Sequence, residues 1–103
     1  MMDLTTDTLG DVLRDNAKVM VQYGAGWCGN CRLIKPKFKK LSAQHEDVLF
    51  VYVDAEKLPG TRAFAEVTNL PTFAGFVNGQ LVGQSQGNKI EVIEQVLHEV
   101  THH

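Results

Sequence analysis

Two apolar runs with a helical segment between them constrain the fold of this chain most. Residues 18–23 and 47–55 are short and dense in β-branched and aromatic side chains, as is typical of strands covered on both faces. Between them Ile34, Phe38 and Leu41 recur at helical spacing. A strand, a helix and a second strand in this order predict a βαβ unit with parallel strands and a helix packed on the sheet.

The remaining segments extend this unit on both sides. Residues 8–16 predict a short helix capped by Thr6 or Asp7, and residues 61–68 predict a second short helix. Residues 2–5 give only a weak strand signal. Because helices alternate with strands, we expect helices on both faces of the sheet.

The C-terminal third predicts a hairpin followed by a helix. Residues 72–87 form two strand-like segments around Asn78-Gly79, and both central residues of a type I′ turn need a positive φ. The last segment has four apolar residues on one helical face: Ile90, Ile93, Leu97 and Val100. The sequence therefore predicts a single α/β domain over residues 1–103, with a central mixed sheet flanked by helices.

Composition excludes several classes of function. The chain has 103 residues and a formal net charge of −2, whereas nucleic-acid binding needs a basic surface. It has no run of about 18 apolar residues, so we expect no membrane span. Residues 1–11 are polar and acidic, unlike a signal peptide, so we expect a cytoplasmic protein whose thiols stay reduced.

Both cysteines of the chain lie between the first apolar run and the helix that follows it. Cys28 would begin that helix, where unpaired N–H groups and the helix dipole favour a thiolate, and Cys31 would lie one turn further along. Cys28 could then attack a disulfide, and Cys31 could release the product. Gly29 leaves the approach open, and Trp27 adds an apolar surface beside the sulfur.

The residues alone leave other interpretations of the cysteine pair open, among them one metal that two chains share through four cysteines. The pair could be half of a zinc site, but zinc needs about four ligands, and His45 and His98 lack finger-like spacing from it. His102 and His103 could belong to a tag, so we do not count them as candidate metal ligands. The cysteines could also be core residues, although Gly and Asn make a poor core segment. We predict no metal and no cofactor.

Pro36 allows two positions for the start of the helix. Proline suits the first position of a helix, but it can also interrupt one that begins near Cys28. The apolar stripe starts at Ile34, before the proline, which favours an interior position.

Several spaced motifs together resemble the thioredoxin family. They are "WCGNC" at 27–31 with Pro36 five residues after the second cysteine, "LPT" at 70–72, "NG" at 78–79, and Gly87. The likeness covers nearly the whole chain in the right order. It implies a thioredoxin fold and an enzyme that reduces protein disulfides, with Cys28 as nucleophile and Cys31 as resolving residue.

The resemblance also implies a substrate groove and partners. Pro71 would be cis and pack against the cysteine pair, and the backbone of Leu70 would pair with an extended substrate segment. Gly87 would border the groove, although it and Leu70 could instead be ordinary loop residues. The predicted substrate-binding residues are Trp27, Gly29, Asn30, Leu70, Pro71 and Gly87. The implied partners are disulfide-containing proteins and an electron donor of the thioredoxin-reductase type, and the chain would act as a monomer.

The sequence departs from the family pattern at four positions near the cysteines. Asn30 replaces a proline, which changes the helix start and the redox poise. Gln22 replaces a buried aspartate and Phe50 its lysine partner, so the usual group for deprotonating Cys31 is missing. Gly24 replaces an aromatic residue. These departures keep an alternative function open, namely a redox-inert binding module on a thioredoxin scaffold.

Overall fold

The computed structural model describes all 103 residues and contains five strands, three α-helices and one 3-10 helix. In chain order the elements are β1 (Met2–Asp3), α1 (Leu9–Asp15), β2 (Lys18–Gly24), α2 (Gly29–Gln44), β3 (Leu49–Asp54), the 3-10 helix (Pro59–Phe64), β4 (Thr72–Val77), β5 (Gln80–Gln86) and α3 (Ile90–Thr101). None of the helices has both the length and the apolar character needed to cross a bilayer.

The five strands form one mixed sheet in the order β1-β3-β2-β4-β5. β1, β3 and β2 are parallel, and β2 connects to β3 through α2, as the two apolar runs predict. β4 is antiparallel to β2, and β5 is antiparallel to β4 at the outer edge. The prediction of a parallel core with a hairpin at one edge is confirmed.

The central strand β2 separates two hydrophobic cores. Val19, Val21 and Tyr23 are fully buried in the core that α1 covers, whereas Met20 packs in the core beneath α2 and α3. Strand residues alternate between faces, so one continuous apolar run serves both cores. Helices therefore lie on both faces of the sheet, as the sequence predicts.

Two local predictions are wrong. Thr8, not Thr6 or Asp7, is the N-cap of α1 and makes no side-chain cap bond, while the Asp7 carboxylate accepts from the Gly60 N–H at 2.8 Å. The helix predicted over residues 61–68 is a 3-10 helix that ends at Phe64, followed by irregular backbone. In both cases contacts with distant segments override the local preference.

Two predictions about turns and prolines are confirmed. Pro36 lies inside α2, which begins at Gly29. Asn78 and Gly79 have φ of 52° and 82°, as a type I′ hairpin turn requires. The weak strand signal near the N-terminus also corresponds to a real strand, β1, which pairs with β3.

We expect Gly75→Ala to lower the free energy of unfolding by about 1–3 kcal/mol, because overpacking a tight core costs about that much. A Cβ at Gly75 would lie 3.0 Å from the Val96 Cγ1 methyl and even closer to a methyl of Val100, both on α3. Urea unfolding checks this. Gly83→Ala, at the cross-strand partner, is the control, because its Cβ would meet only the flexible Glu99 side chain. An equal loss of stability in both variants would contradict this account.

Candidate active site

The two cysteines lie where β2 ends and α2 begins. Cys28 is the N-cap of α2, and its Sγ accepts a hydrogen bond from the backbone N–H of Cys31 at 3.2 Å. The two residues form a disulfide, with their Cα atoms 5.3 Å apart. The N-terminus of a helix favours negative charge, so the same N–H would stabilise a thiolate on Cys28 after reduction.

The two sulfur-bearing residues differ in access. Cys28 keeps 6% of its surface exposed, whereas Cys31 keeps 1% and lies on the buried side of the first turn of α2. Next to Cys28, a Cβ added at Gly29 would meet no atom within 4 Å, so solvent reaches this side of the disulfide. A disulfide arriving from outside would therefore meet Cys28 first.

Trp27 lies beside Cys28 as an exposed apolar surface. Its side chain is 68% exposed, and its indole N–H donates to a carboxylate oxygen of Glu56. This contact orients a side chain that would otherwise be free in solvent. The geometry matches the apolar surface that the sequence predicts beside the first cysteine.

The structure brings the "LPT" segment and Gly87 to the cysteine pair. The Leu70–Pro71 bond is cis, and Leu70 packs against the small cluster that contains both cysteines. Gly87, with φ of 135°, donates its N–H to the Pro71 carbonyl at 3.2 Å. A side chain at Gly87 would be strained at this φ and would press on Val92. Leu70 therefore contacts the cysteine cluster, and Gly87 is joined to Pro71, the residue that follows Leu70.

A shallow cavity that the sequence does not predict opens beside Trp27. It has a volume of about 350 Å³ and is lined by Trp27, Arg62, Val67, Thr68, Asn69 and Leu70. The Gln84 side chain holds this irregular segment through both backbone polar groups of Glu66, accepting from its N–H at 3.0 Å and donating to its carbonyl at 2.8 Å. The sequence gives no sign of this cavity, because the pattern of residues 61–68 predicts a regular helix instead of the irregular backbone that lines it.

Asn30 forms a contact that sequence reasoning missed. Its Oδ1 accepts a hydrogen bond at 3.2 Å from Nδ2 of Asn88, the residue after Gly87. Both side chains are exposed. Nothing in the sequence links these two residues, which are 58 positions apart.

Gln22 lies beneath the cysteine pair, and only its amide nitrogen has a hydrogen-bond partner. It is fully buried, its Nε2 donates to the Cys31 carbonyl at 3.2 Å, and its Oε1 has no partner. A buried acceptor without a partner costs about 1–3 kcal/mol. Gln22 therefore anchors Cys31 but offers no carboxylate that could take up its proton.

The other departures from the family pattern are explained by packing. Phe50 packs against Phe38, with ring centroids 4.9 Å apart, so the lysine position has become part of the core. The Tyr52 side chain covers Gly24, where an added Cβ would lie 2.6 Å from the tyrosine oxygen. The aromatic side chain at this position therefore comes from β3 instead of β2.

Tyr52 does not supply the missing base at neutral pH. Burial raises the pKa of its hydroxyl, and the carboxylates of Asp54 and then Asp3 raise that pKa further. Tyr52 therefore stays protonated well above neutral pH.

The geometry also bears on the zinc interpretation. The structure has no group of three or more His, Cys, Asp or Glu side chains placed to hold a metal ion. The two cysteines are instead joined to each other.

Comparison with known proteins then assigns the family. Residues 1–99 match the family model for thioredoxin. The chain belongs to the thioredoxin family. It is 38% identical over 94 residues to the thioredoxin of Oryctolagus cuniculus, covering 91% of this chain and 85% of that protein. The structure of reduced Schistosoma mansoni thioredoxin pre-protein superposes with a TM-score of 0.87 at 35% identity, covering 96% of each chain.

A longer relative contains this region as a small part. The match to thioredoxin domain-containing protein 2 of Mus musculus is 38% identical over 92 residues, covering 87% of this chain but 18% of that protein. The chain therefore spans less than a fifth of the length of that relative. The thioredoxin family and fold predicted from the sequence are confirmed, and the disulfide between Cys28 and Cys31 is consistent with a thiol–disulfide oxidoreductase.

We expect Gln22→Asp to speed the release of substrate from Cys28 near neutral pH, because a carboxylate beneath Cys31 could accept its proton. General-base assistance contributes about 10²–10⁴-fold in favourable geometry, so a gain of about tenfold or more is the expected result. Rapid acid quench with mass spectrometry measures the decay of the mixed disulfide across pH.

Gln22→Asn is the matched control, because it has the size of aspartate without its charge. Both variants shorten the side chain, so loss of the contact with the Cys31 carbonyl affects them equally. A Gln22→Asp rate equal to the Gln22→Asn rate at every pH would show that the proton of Cys31 does not limit release.

Proposed function

We propose that this thioredoxin-family chain reduces disulfides in protein substrates, using Cys28 to attack and Cys31 to release the product. The observation that carries this proposal is the disulfide at the start of α2. The Cys28 sulfur is the N-cap that accepts an N–H, and Cys31, which is the more deeply buried of the two residues, lies three residues further along α2.

The reaction transfers two electrons from the chain to the substrate. The Cys28 thiolate attacks one sulfur of the substrate disulfide, and the other substrate sulfur leaves as a thiolate and is protonated. Cys31, after losing its proton, then attacks Cys28, which frees the first substrate sulfur and closes the Cys28–Cys31 disulfide. Water or the departing substrate thiolate would take up the Cys31 proton, since Gln22 cannot.

An extended segment of substrate would bind along Leu70 and Pro71. The N–H and C=O of Leu70 make no hydrogen bond within the chain, so they are available for strand addition. Trp27 and Gly87 would border this segment, and Gly29 would leave room for the substrate sulfur. The cavity beside Trp27 could take an apolar side chain of the substrate.

The oxidised pair must be reduced again, and we assign this step to an enzyme of the thioredoxin-reductase type. Support comes from α2, which begins at the site and carries four exposed basic residues without ion-pair partners, able to guide an acidic surface: Arg32, Lys37, Lys39 and Lys40. Reduction of disulfides fits a reducing compartment such as the cytoplasm. The chain would act as a monomer, because both cysteines and the groove come from one polypeptide.

We expect the chain to accelerate the reduction of insulin by dithiothreitol, measured as turbidity. Cys28→Ser should abolish the acceleration, since the remaining thiol, Cys31, is buried and cannot reach a substrate disulfide. Cys31→Ser should accumulate a mixed disulfide between Cys28 and insulin that mass spectrometry detects. Wild-type protein that leaves the turbidity unchanged would support the redox-inert binding module instead.

We also expect Cys28 in the reduced chain to be alkylated by iodoacetamide well before Cys31, and at pH values where an ordinary thiol, with a pKa of about 8.5, is mostly protonated. The helix N-terminus and the Cys31 N–H favour its thiolate, and Cys31 is buried. Peptide mapping after timed quenching measures both rates. Equal rates at the two cysteines, or a Cys28 rate that follows an ordinary thiol, would contradict the proposed role.

A further inference from the structure

Two exposed asparagine side chains meet at the edge of the disulfide. Asn30 lies between the two cysteines in the first turn of α2, and Asn88 follows Gly87 in the loop before α3. The amide of Asn88 donates to the amide oxygen of Asn30 at 3.2 Å. We call these two residues the amide pair.

The backbone on each side holds the amide pair in place. Asn30 is fixed by the first turn of α2, whose N-cap is Cys28. Asn88 is fixed by Gly87, which donates its N–H to the Pro71 carbonyl at 3.2 Å. The amide pair therefore joins two segments that already border the disulfide, and little conformational entropy is lost when a third group binds to it.

The contact within the amide pair leaves one donor group and one acceptor free. Asn30 keeps the N–H groups of Nδ2, and Asn88 keeps its Oδ1, and neither atom bonds elsewhere in the chain. Side-chain amides offer the same chemistry as peptide groups. A free N–H and a free oxygen together complement the C=O and the N–H of a polypeptide backbone.

We propose that the amide pair binds the backbone of a peptide next to its disulfide, so that this chain favours peptide disulfides over small disulfides without amide groups. The inference rests on the proposed function and adds a substrate preference to it. Trp27 and Leu70 line the cavity beside Cys28, and the amide pair lies outside this cavity, next to the cysteines through Asn30. A substrate is thus held by its backbone at Asn30 and Asn88 and by apolar contacts at Trp27.

The test compares exchange with two disulfides of different chemistry. Reduced protein is mixed with insulin or with bis(2-hydroxyethyl) disulfide, which has no amide, and acid-quenched samples give the second-order rate constant for each. The variants are Asn88→Ala, Asn30→Ala and the double variant. Gln80→Ala, which removes an exposed amide at the far end of β5, is the control.

We expect Asn88→Ala to lower the ratio of the insulin rate constant to the small-disulfide rate constant about three- to tenfold, the effect of a typical hydrogen bond. The double variant should lose little more than either single variant, because the two residues act as a unit. Gln80→Ala should keep the wild-type ratio. The reduction potential of each variant is measured against glutathione. A lower rate ratio at an unchanged reduction potential shows an effect on substrate binding.

Other outcomes overturn the proposal. Rate constants that fall equally for both disulfides would show that Asn30 and Asn88 affect only the reduction potential of the cysteine pair or the structure of the first turn of α2. A ratio that matches the control would show that the contact is incidental. Wild-type protein that reacts with neither disulfide would overturn the proposed function itself, so the two failures are distinguishable.

Discussion

The site depends on the burial of β2 at the centre of the sheet. This strand is hydrogen-bonded to β3 on one side and to β4 on the other, and both of its faces are covered. Its end therefore cannot shift without disturbing both cores. Because only four residues separate the end of β2 from the start of α2, the N-cap position of Cys28 is as firmly placed as the strand.

The groove beside that helix start is a product of distant contacts. The cis Leu70–Pro71 bond brings Leu70 onto the cysteines, the Gly87 N–H joins the following loop to Pro71, and Gln84 holds the irregular segment before it. Each contact alone is an ordinary hydrogen bond or apolar contact of about 1 kcal/mol. Together they place the unpaired backbone groups of Leu70 beside the cysteine cluster, as the proposed disulfide exchange requires.

The departures from the family pattern form a consistent set. Phe50 stands at the position of the family's lysine and packs in the core against Phe38. Tyr52 covers the backbone of Gly24, which has no side chain of its own. Gln22 keeps a hydrogen bond to the Cys31 carbonyl, but it leaves one buried oxygen without a partner. The chain thus keeps the architecture of the site while changing the environment of the proton on Cys31.

Local signals in the sequence were enough to predict several elements. Apolar periodicity predicted β2, α2 and β3, Asn78-Gly79 predicted the hairpin turn, and the spacing of the cysteines predicted a dithiol at a helix start. The resemblance added the cis bond at Pro71, which local statistics disfavour. Four features emerged only from the packed chain: the cap of α1, the irregular segment after Phe64, the Tyr52 contact and the partner of Asn30. These depend on residues far apart in the chain, whose approach is set by how the sheet and helices pack and not by any local preference.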